Sequence, residues 1–255
     1  ANAGGMFGPE LKFAGYDMIV FEGQSPEPVY LRIEDDLVEL RPAKHLWGKG
    51  VSEAQRLVCE ELGDDEYRFA TIGPAGENRV RYASVQVSPN RSAARSGMGA
   101  VMGAKRVKCV AVRGFGPVRI ADPDGFYRVA TEAHRKILVN EFYASVSRYG
   151  TPGLVTLMDP MGRFPTKNFQ LGSFPWAEEI SAEVLREKYL VHDIACFNCP
   201  IACDKVYRVT SGPYAGTTVN SVEYETLGSL GAGVWNRDLS SILRGNWLCD
   251  ELGLD

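Results

Sequence analysis

The sequence predicts an α+β fold, a β-sheet-rich first part over residues 1–118 followed by a mostly helical second part over residues 119–255. Three observations predict it. Between Lys12 and Gly114, short runs rich in β-branched and aromatic residues are separated by clusters of Gly, Pro, Asn and Asp, the texture of a layered sheet. After Gly114, apolar residues recur at helical spacing. Over 255 residues, 45% hydrophobic and 24% charged, the chain can bury one large core or two modest ones, and these fractions fit neither disorder nor a fibrous repeat.

The expected strands are Met18 to Glu22, Val29 to Ile33, Leu37 to Leu40, Tyr67 to Ile72, Arg79 to Val87 and Arg106 to Arg113. One helix interrupts them: Ser52 with Gln55 has the capping-box spacing, and Gly63 can end the helix in the left-handed conformation. In the second part, Asp122 as N-cap and Pro123 in the first turn start an amphipathic run through Phe126, Ala130, Ala133 and Ile137 that ends near Gly150. Further helices are expected over Ala182 to Leu190 and Leu239 to Leu252, the last closed by Gly253. No internal repeat or low-complexity segment stands out.

A formal charge of −4 gives no electrostatic reason to expect nucleic acid or an acidic membrane as partner. No run reaches the roughly 18 apolar residues of a membrane span, and no secretion signal opens the chain. A cytoplasmic location is the default expectation. In that reducing setting the six cysteines read as ligands or buried thiols rather than as a disulfide framework.

Cys196, Cys199 and Cys203 lie in the stretch CFNCPIAC. Thiolates are soft ligands that suit iron-sulfur clusters and zinc, so three of them on one short segment could serve a single centre. Three buried thiols are the bland reading. Zinc is the sharper competitor, because His192 could complete a Cys3His tetrahedron. Cys59 and Cys109, on a helix and a strand, read as buried thiols. A second constellation runs from Arg91 to Lys105, where Gly97, Gly99 and Gly103 would let main-chain amides approach a ligand whose charge Arg91 and Arg95 neutralise. The same glycines could equally serve close packing. Asn2 to Gly8 is a weaker main-chain cradle. Glu223 and Glu225, one residue apart in an expected strand, should point to opposite faces.

In order along the whole chain, Asn2-Ala3-Gly4-Gly5, Phe7 to Asp17, Ile72-Gly73-Pro74-Ala75-Gly76-Glu77-Asn78, Gly99 to Gly103, the cysteine triplet, Glu223-Tyr224-Glu225 and Asp250-x-x-Gly253-Leu254-Asp255 resemble the tungsten-dependent aldehyde ferredoxin oxidoreductases. The resemblance implies a sheet base carrying a tungsten-bis-pterin (tungstopterin) and a helical part carrying a [4Fe-4S] cluster. It implies that the tungsten is held by pterin sulfurs alone and that a magnesium ion bridges the pterin phosphates. By the same resemblance, the carbonyls of Asn2 and Ser92 would contact magnesium. Gly4 and Arg91 would lie beside the pterins, and Asp250, Gly253, Leu254 and Asp255 would form one of two pterin-binding motifs. Glu225 would be the partly buried carboxylate near the metal, acting on a proton or on water. Cys196, Cys199 and Cys203 would be three cluster ligands.

Implied too are an aldehyde substrate oxidised to a carboxylic acid, and ferredoxin or another iron-sulfur carrier as electron acceptor. Family members are longer, so the chain is expected to be a fragment, with the fourth cluster ligand and the second pterin motif beyond residue 255. Homo-oligomers occur among relatives, some bridged by an iron site that uses a glutamate; Arg244 stands at that position here, and a cation cannot replace a carboxylate ligand. Two alternatives stay open: a tungsten enzyme of the same fold acting on another substrate, such as a carboxylate reductase or a benzoyl-CoA reductase catalytic subunit, and a zinc-stabilised binding module with no redox role.

Overall fold

The computed structural model describes residues 1–87 and 91–255. It divides into two compact units, residues 1–121 with 249–255, and residues 122–248. The expected α+β class is what the chain has: a sheet-based first unit and a second unit richer in helix.

In the first unit, β1 (Val29–Glu34), β2 (Leu37–Pro42), β3 (Arg68–Thr71), β4 (Val85–Val87), β5 (Arg91–Ala93) and β6 (Val107–Arg113) form one sheet in the order β2-β1-β6-β3-β4-β5. β1 and β6 are parallel; the other pairings are antiparallel. β6 is buried from Val107 through Val112 because both faces of the sheet are covered. Its side chains alternate accordingly. Cys109 and Ala111 join Tyr30, Tyr67, Phe69 and Val58, the last from α2 (Val51–Leu62). Val110 and Val112 join Leu31, Ile33 and the partly buried Phe7 and Leu11 of α1 (Phe7–Phe13).

Three expectations need correction. Met18 to Glu22 forms no strand; Ile19 and Phe21 pack on the α1 side of the sheet, so the segment satisfies its apolar residues without joining a ladder. Of Arg79 to Val87, only Val85–Val87 forms a strand, and Ala83 makes one isolated bridge. The Ser52/Gln55 capping box is absent, because the N-cap of α2 is Gly50, two residues earlier. Ser52 instead donates to the Glu251 carboxylate, and the Gln55 amide donates to Thr71 Oγ1 at 3.2 Å. Gly63 does end α2 at φ +70°.

Two short helices complete this unit, α3 (Pro74–Glu77) and α4 (Met98–Ala104). The glycines expected to leave an open cradle are used for packing. A Cβ on Gly103 would overlap the Gly76 carbonyl, and one on Gly99 would overlap the Ser84 carbonyl, so main chain meets main chain with no room for a methyl group.

Cys109 is fully buried, and removal from water pushes its thiol up from 9.0 to about 12. The folded value lies above the unfolded one. The stability this contributes is complete below pH 9 and is lost as the pH climbs toward 12, because only the unfolded thiol ionises in that window. We expect urea unfolding between pH 9 and 11 to show a decline that Cys109→Ala makes shallower by one proton, about 1.4 kcal/mol per pH unit. Identical slopes for the two proteins would refute this.

The second unit contains α5 (Pro123–Leu138), α6 (Tyr143–Tyr149), α7 (Leu154–Met158), α8 (Ala182–Tyr189), α9 (Tyr224–Thr226) and α10 (Leu239–Leu252), whose last turn belongs to the first unit. As expected, Asp122 caps α5 by accepting from the Gly125 amide at 3.0 Å. The run expected to reach Gly150 is two helices, and α5 buries none of its residues. The sequence reading missed a three-stranded antiparallel sheet, β7 (Leu190–Ile194), β8 (Asp204–Arg208) and β9 (Thr218–Asn220). Its Tyr207 and Val219 pack with Phe164, Phe174, Ile180, Leu185, Leu227 and Ile242 in the core of this unit.

Candidate functional site

In the first unit, the predicted cofactor residues at the sheet edge and at the end of α10 are drawn together. Gly253, at φ +71°, closes α10 in a Schellman motif: its amide donates to the Asp250 carbonyl at 3.2 Å and the Leu254 amide to the Cys249 carbonyl at 2.9 Å. The turn then docks on the chain before β4. Ser84 N–H donates to the Gly253 carbonyl at 2.9 Å, Leu254 bridges to Ala83, and Asp255 N–H donates to the Tyr82 carbonyl at 3.1 Å.

Backbones run so close here that a Cβ on Gly253 would lie 2.7 Å from the Gly73 nitrogen. That gives the glycine two independent reasons, its dihedral and its space. The Asp255 carboxylate accepts from the Arg95 amide at 3.2 Å and lies 3.7 Å from the Arg95 guanidinium. On the edge strand β5, Ser92 is tied to Ser84 through the Gln86 amide, at 3.2 and 3.0 Å. Arg91, Ser92, Gly253, Leu254 and Asp255 thus share one rim, with Arg95 as a member the sequence reading left in the glycine-rich segment.

Glu251 was not singled out in the sequence, yet it anchors this rim. Its carboxylate accepts from Ser52 Oγ and from the Ser52 amide at 3.2 Å, in the first turn of α2. An acidic group is favoured there by the exposed amides and the helix dipole. Asn2 and Gly4 are exposed, and among the described residues no hydrogen bond joins them to the rim.

In the second unit, the register Ile194↔Asp204 closes a β7–β8 hairpin whose loop, 195–203, carries Cys196, Cys199 and Cys203. None of the three is in a disulfide, and each is half-buried. The Cys199 amide donates to the Cys196 carbonyl at 3.1 Å, Asn198 and Ala202 take positive φ, and Tyr143 Oη donates to the Pro200 carbonyl at 3.3 Å. A single zinc ion needs four donors within about 2.0–2.3 Å of one point. Among the described residues no three His, Cys, Asp or Glu side chains are so placed, and His192 stays in β7. A cubane cluster asks for a different geometry, since its ligand sulfurs stand apart by the width of the cluster. In donor chemistry the loop fits iron and sulfide: three soft thiols on one short, partly exposed hairpin tip.

Glu223 and Glu225 do not lie in a strand. Glu223 caps α9, its carboxylate bound by the Thr226 amide and by Thr151 Oγ1, while Thr226 Oγ1 accepts from the Glu223 amide at 3.3 Å. That reciprocal capping starts a helical turn where alternation alone predicts extension. Glu223 is therefore committed to structure. Glu225 is exposed rather than partly buried, and its side chain has no hydrogen-bond or ion-pair partner among the described residues. It sits two residues before a π-helical turn, Leu227–Gly231, a rare geometry that recurs at functional positions. Arg244, the position of the expected departure, stacks on the Trp247 ring at 3.9 Å.

The aldehyde ferredoxin oxidoreductase N-terminal domain matches residues 1–114, and domains 2 and 3 of the same family match residues 128–255. The chain belongs to the aldehyde ferredoxin oxidoreductase family. It is 46% identical to a tungsten-containing aldehyde ferredoxin oxidoreductase of Pyrococcus furiosus and 47% identical to one of Thermococcus kodakarensis, each across 100% of this chain. It spans 42% of the length of these relatives. At 31% identity over 97% of the chain, it is also similar to the WOR-like subunit of an aliphatic sulfonate oxidoreductase of Pyrococcus furiosus. Among solved structures, the active-site complex BamBC of benzoyl coenzyme A reductase, with 1,5-dienoyl-CoA bound, aligns at a TM-score of 0.80 and 32% identity. That alignment covers 99% of this chain and 40% of the other.

Proposed function

We propose that this family member is part of a tungstopterin oxidoreductase that oxidises aldehydes to carboxylic acids and passes the electrons through a [4Fe-4S] cluster to ferredoxin or a similar carrier. The net reaction takes an aldehyde and water to a carboxylic acid, two electrons and two protons. The observation that carries the reading is that one chain holds both a three-thiol hairpin loop and an Asp250-to-Asp255 turn docked on a sheet edge, each within its own unit and both on residues aligned with the relatives. When bound, tungsten held by pterin sulfurs supplies two-electron redox and Lewis-acid chemistry.

The chain's own residues have narrower tasks. Arg91 and Arg95 supply positive charge for an anionic cofactor, and main-chain groups around Ser92 and Gly253 supply close contacts that side chains would block. Magnesium suits main-chain carbonyls at Asn2 and Ser92, since it takes oxygen ligands. Glu225 is the carboxylate free to take a proton or orient water, because Glu223 is held by Thr151 and Thr226. Cys196, Cys199 and Cys203 would ligate three irons of the cluster.

Anaerobically purified full-length protein should contain tungsten, iron and acid-labile sulfide, and should oxidise members of an aldehyde panel with a ferredoxin-type acceptor. Zinc alone would support the binding module. Turnover of acyl-thioesters without aldehydes would support the second substrate class, which the likeness to benzoyl coenzyme A reductase keeps in view.

A further inference from the structure

Next to the cysteine loop lies a buried ammonium group that the proposed reaction does not use. Lys205 is the second residue of β8, two after Cys203, and its side chain is 3% exposed. Its Nζ donates to the Ala202 carbonyl at 2.8 Å, inside the loop, and to the Ser147 carbonyl at 2.8 Å, near the end of α6. Its ion-pair partner is Asp193 on β7 at 3.4 Å, and Asp193 also pairs with Arg186 at 3.2 Å. Asp204 is buried as well, its carboxylate accepting from Ser221 Oγ at 2.7 Å and from the Lys205 amide at 2.8 Å. Gly150, just after α6, closes the other side: a Cβ there would lie 2.6 Å from the Cys203 carbonyl.

Placing an ammonium in such a site is costly unless it does specific work, and a neutral side chain could fill the same space. Two of the oxygens it binds belong to different elements that must meet for the loop to hold its shape. Lys205 is 3% exposed and its counter-ion Asp193 is 42% exposed, so removing the lysine takes away a poorly screened charge beside the loop, and removing the aspartate takes away a partly solvated one. Local charge and hydrogen bonding are what set the potential of an iron-sulfur cluster.

We propose that Lys205 is a positioning residue for Cys203 and that its charge, offset by Asp193, sets the reduction potential of the cluster. This rests on the reading of Cys196, Cys199 and Cys203 as cluster ligands. The step concerned adds one electron to the oxidised cluster; no bond breaks and no proton is taken up. Loss of the Lys205 charge makes that electron harder to add, and loss of the Asp193 charge makes it easier.

The test is a dithionite titration of the full-length protein followed by electron paramagnetic resonance, with iron and sulfide assayed on each sample. Lys205→Met should shift the one-electron equilibrium about tenfold toward the oxidised cluster, ~59 mV more negative. Asp193→Asn should shift it the opposite way, and Lys205→Arg should stay within about threefold of the parent. Mere structural damage would lower cluster content without moving the two potentials in opposite directions. If Lys205→Met fails to load iron, the Asp193→Asn shift decides alone. Loaded variants with unmoved potentials, or potentials moved in the same direction, overturn the proposal. A parent protein that takes up no iron overturns the ligand reading, and this inference with it.

Discussion

Cys199→Ala in the full-length protein will remove the iron and the acid-labile sulfide together, and with them electron transfer to the carrier, while leaving the fold in place. Cys199 is half-buried on a hairpin loop rather than in a core, so losing its sulfur leaves no large cavity, and we expect a stability change of no more than about 1 kcal/mol in the cluster-free protein. Each thiolate of a cubane cluster would ligate one iron, so without the Cys199 sulfur one iron would have no protein ligand and the cluster would not be retained. Two controls make the result specific. Cys249→Ala should keep its iron, because Cys249 lies in the last turn of α10 and gives its carbonyl to the Schellman closure. His192→Ala should also keep it; metal lost from that variant would point to a Cys3His zinc site instead. Iron and sulfide counts by chemical assay decide between the outcomes.

Glu77→Gln should destabilise the chain by about 3–5 kcal/mol, the cost of leaving a buried charge without its counter-ion. Lys108 is fully buried on the central strand β6, and its ammonium donates to Glu77 Oε1 and to the Lys49 carbonyl at 2.8 Å. Glu77 is itself only 4% exposed and accepts from the Gly48 amide at 2.7 Å. Burial, the larger influence, pulls Lys108 below its usual range, and Glu77 pushes it back up. Without the carboxylate the folded protein should release that proton at lower pH than the unfolded chain does. The unfolded state then binds more protons, so stability of Glu77→Gln should rise with pH up to about 10.5.

The double variant Glu77→Gln with Lys108→Met should recover most of the loss, since neither charge remains. Denaturant titrations of the single and double variants check this, and a double variant no more stable than Glu77→Gln would sink it. The consequence extends toward the rim at the end of α10. The Gly48–Lys49 turn leads directly into α2, whose Ser52 holds Glu251.

Features encoded within a few residues were legible in the sequence. The Asp122 cap, the Gly63 and Gly253 terminations and the bounds of α10 all depend on local dihedrals and nearby donors, so spacing predicts them. The strands β1, β3 and β6 were legible as runs of β-branched and aromatic residues bounded by turn residues. Where a residue had two local options, the reading failed. Ser52 could cap its own helix or bind a carboxylate 199 positions away, and the distant partner won. Glu223 could extend a strand or cap a turn, and Thr151 and Thr226 decided for the cap. The β7–β9 meander was missed because the cysteine loop that joins its first two strands looked like a turn after a helix.

By itself the sequence determined the family, the candidate ligands and the class of fold, because these are written in residue types and short spacings. Only the tertiary structure decided that the glycines of 97–103 are packed rather than open. It alone decided that Glu251 ties the end of α10 to α2, that Glu225 and not Glu223 is the unengaged carboxylate, and that a buried Lys205 backs the cysteine loop. Each of those depends on which distant groups share a desolvated space, and in such a space a charge or a methyl group is tolerated or refused by its neighbours, not by its position in the chain.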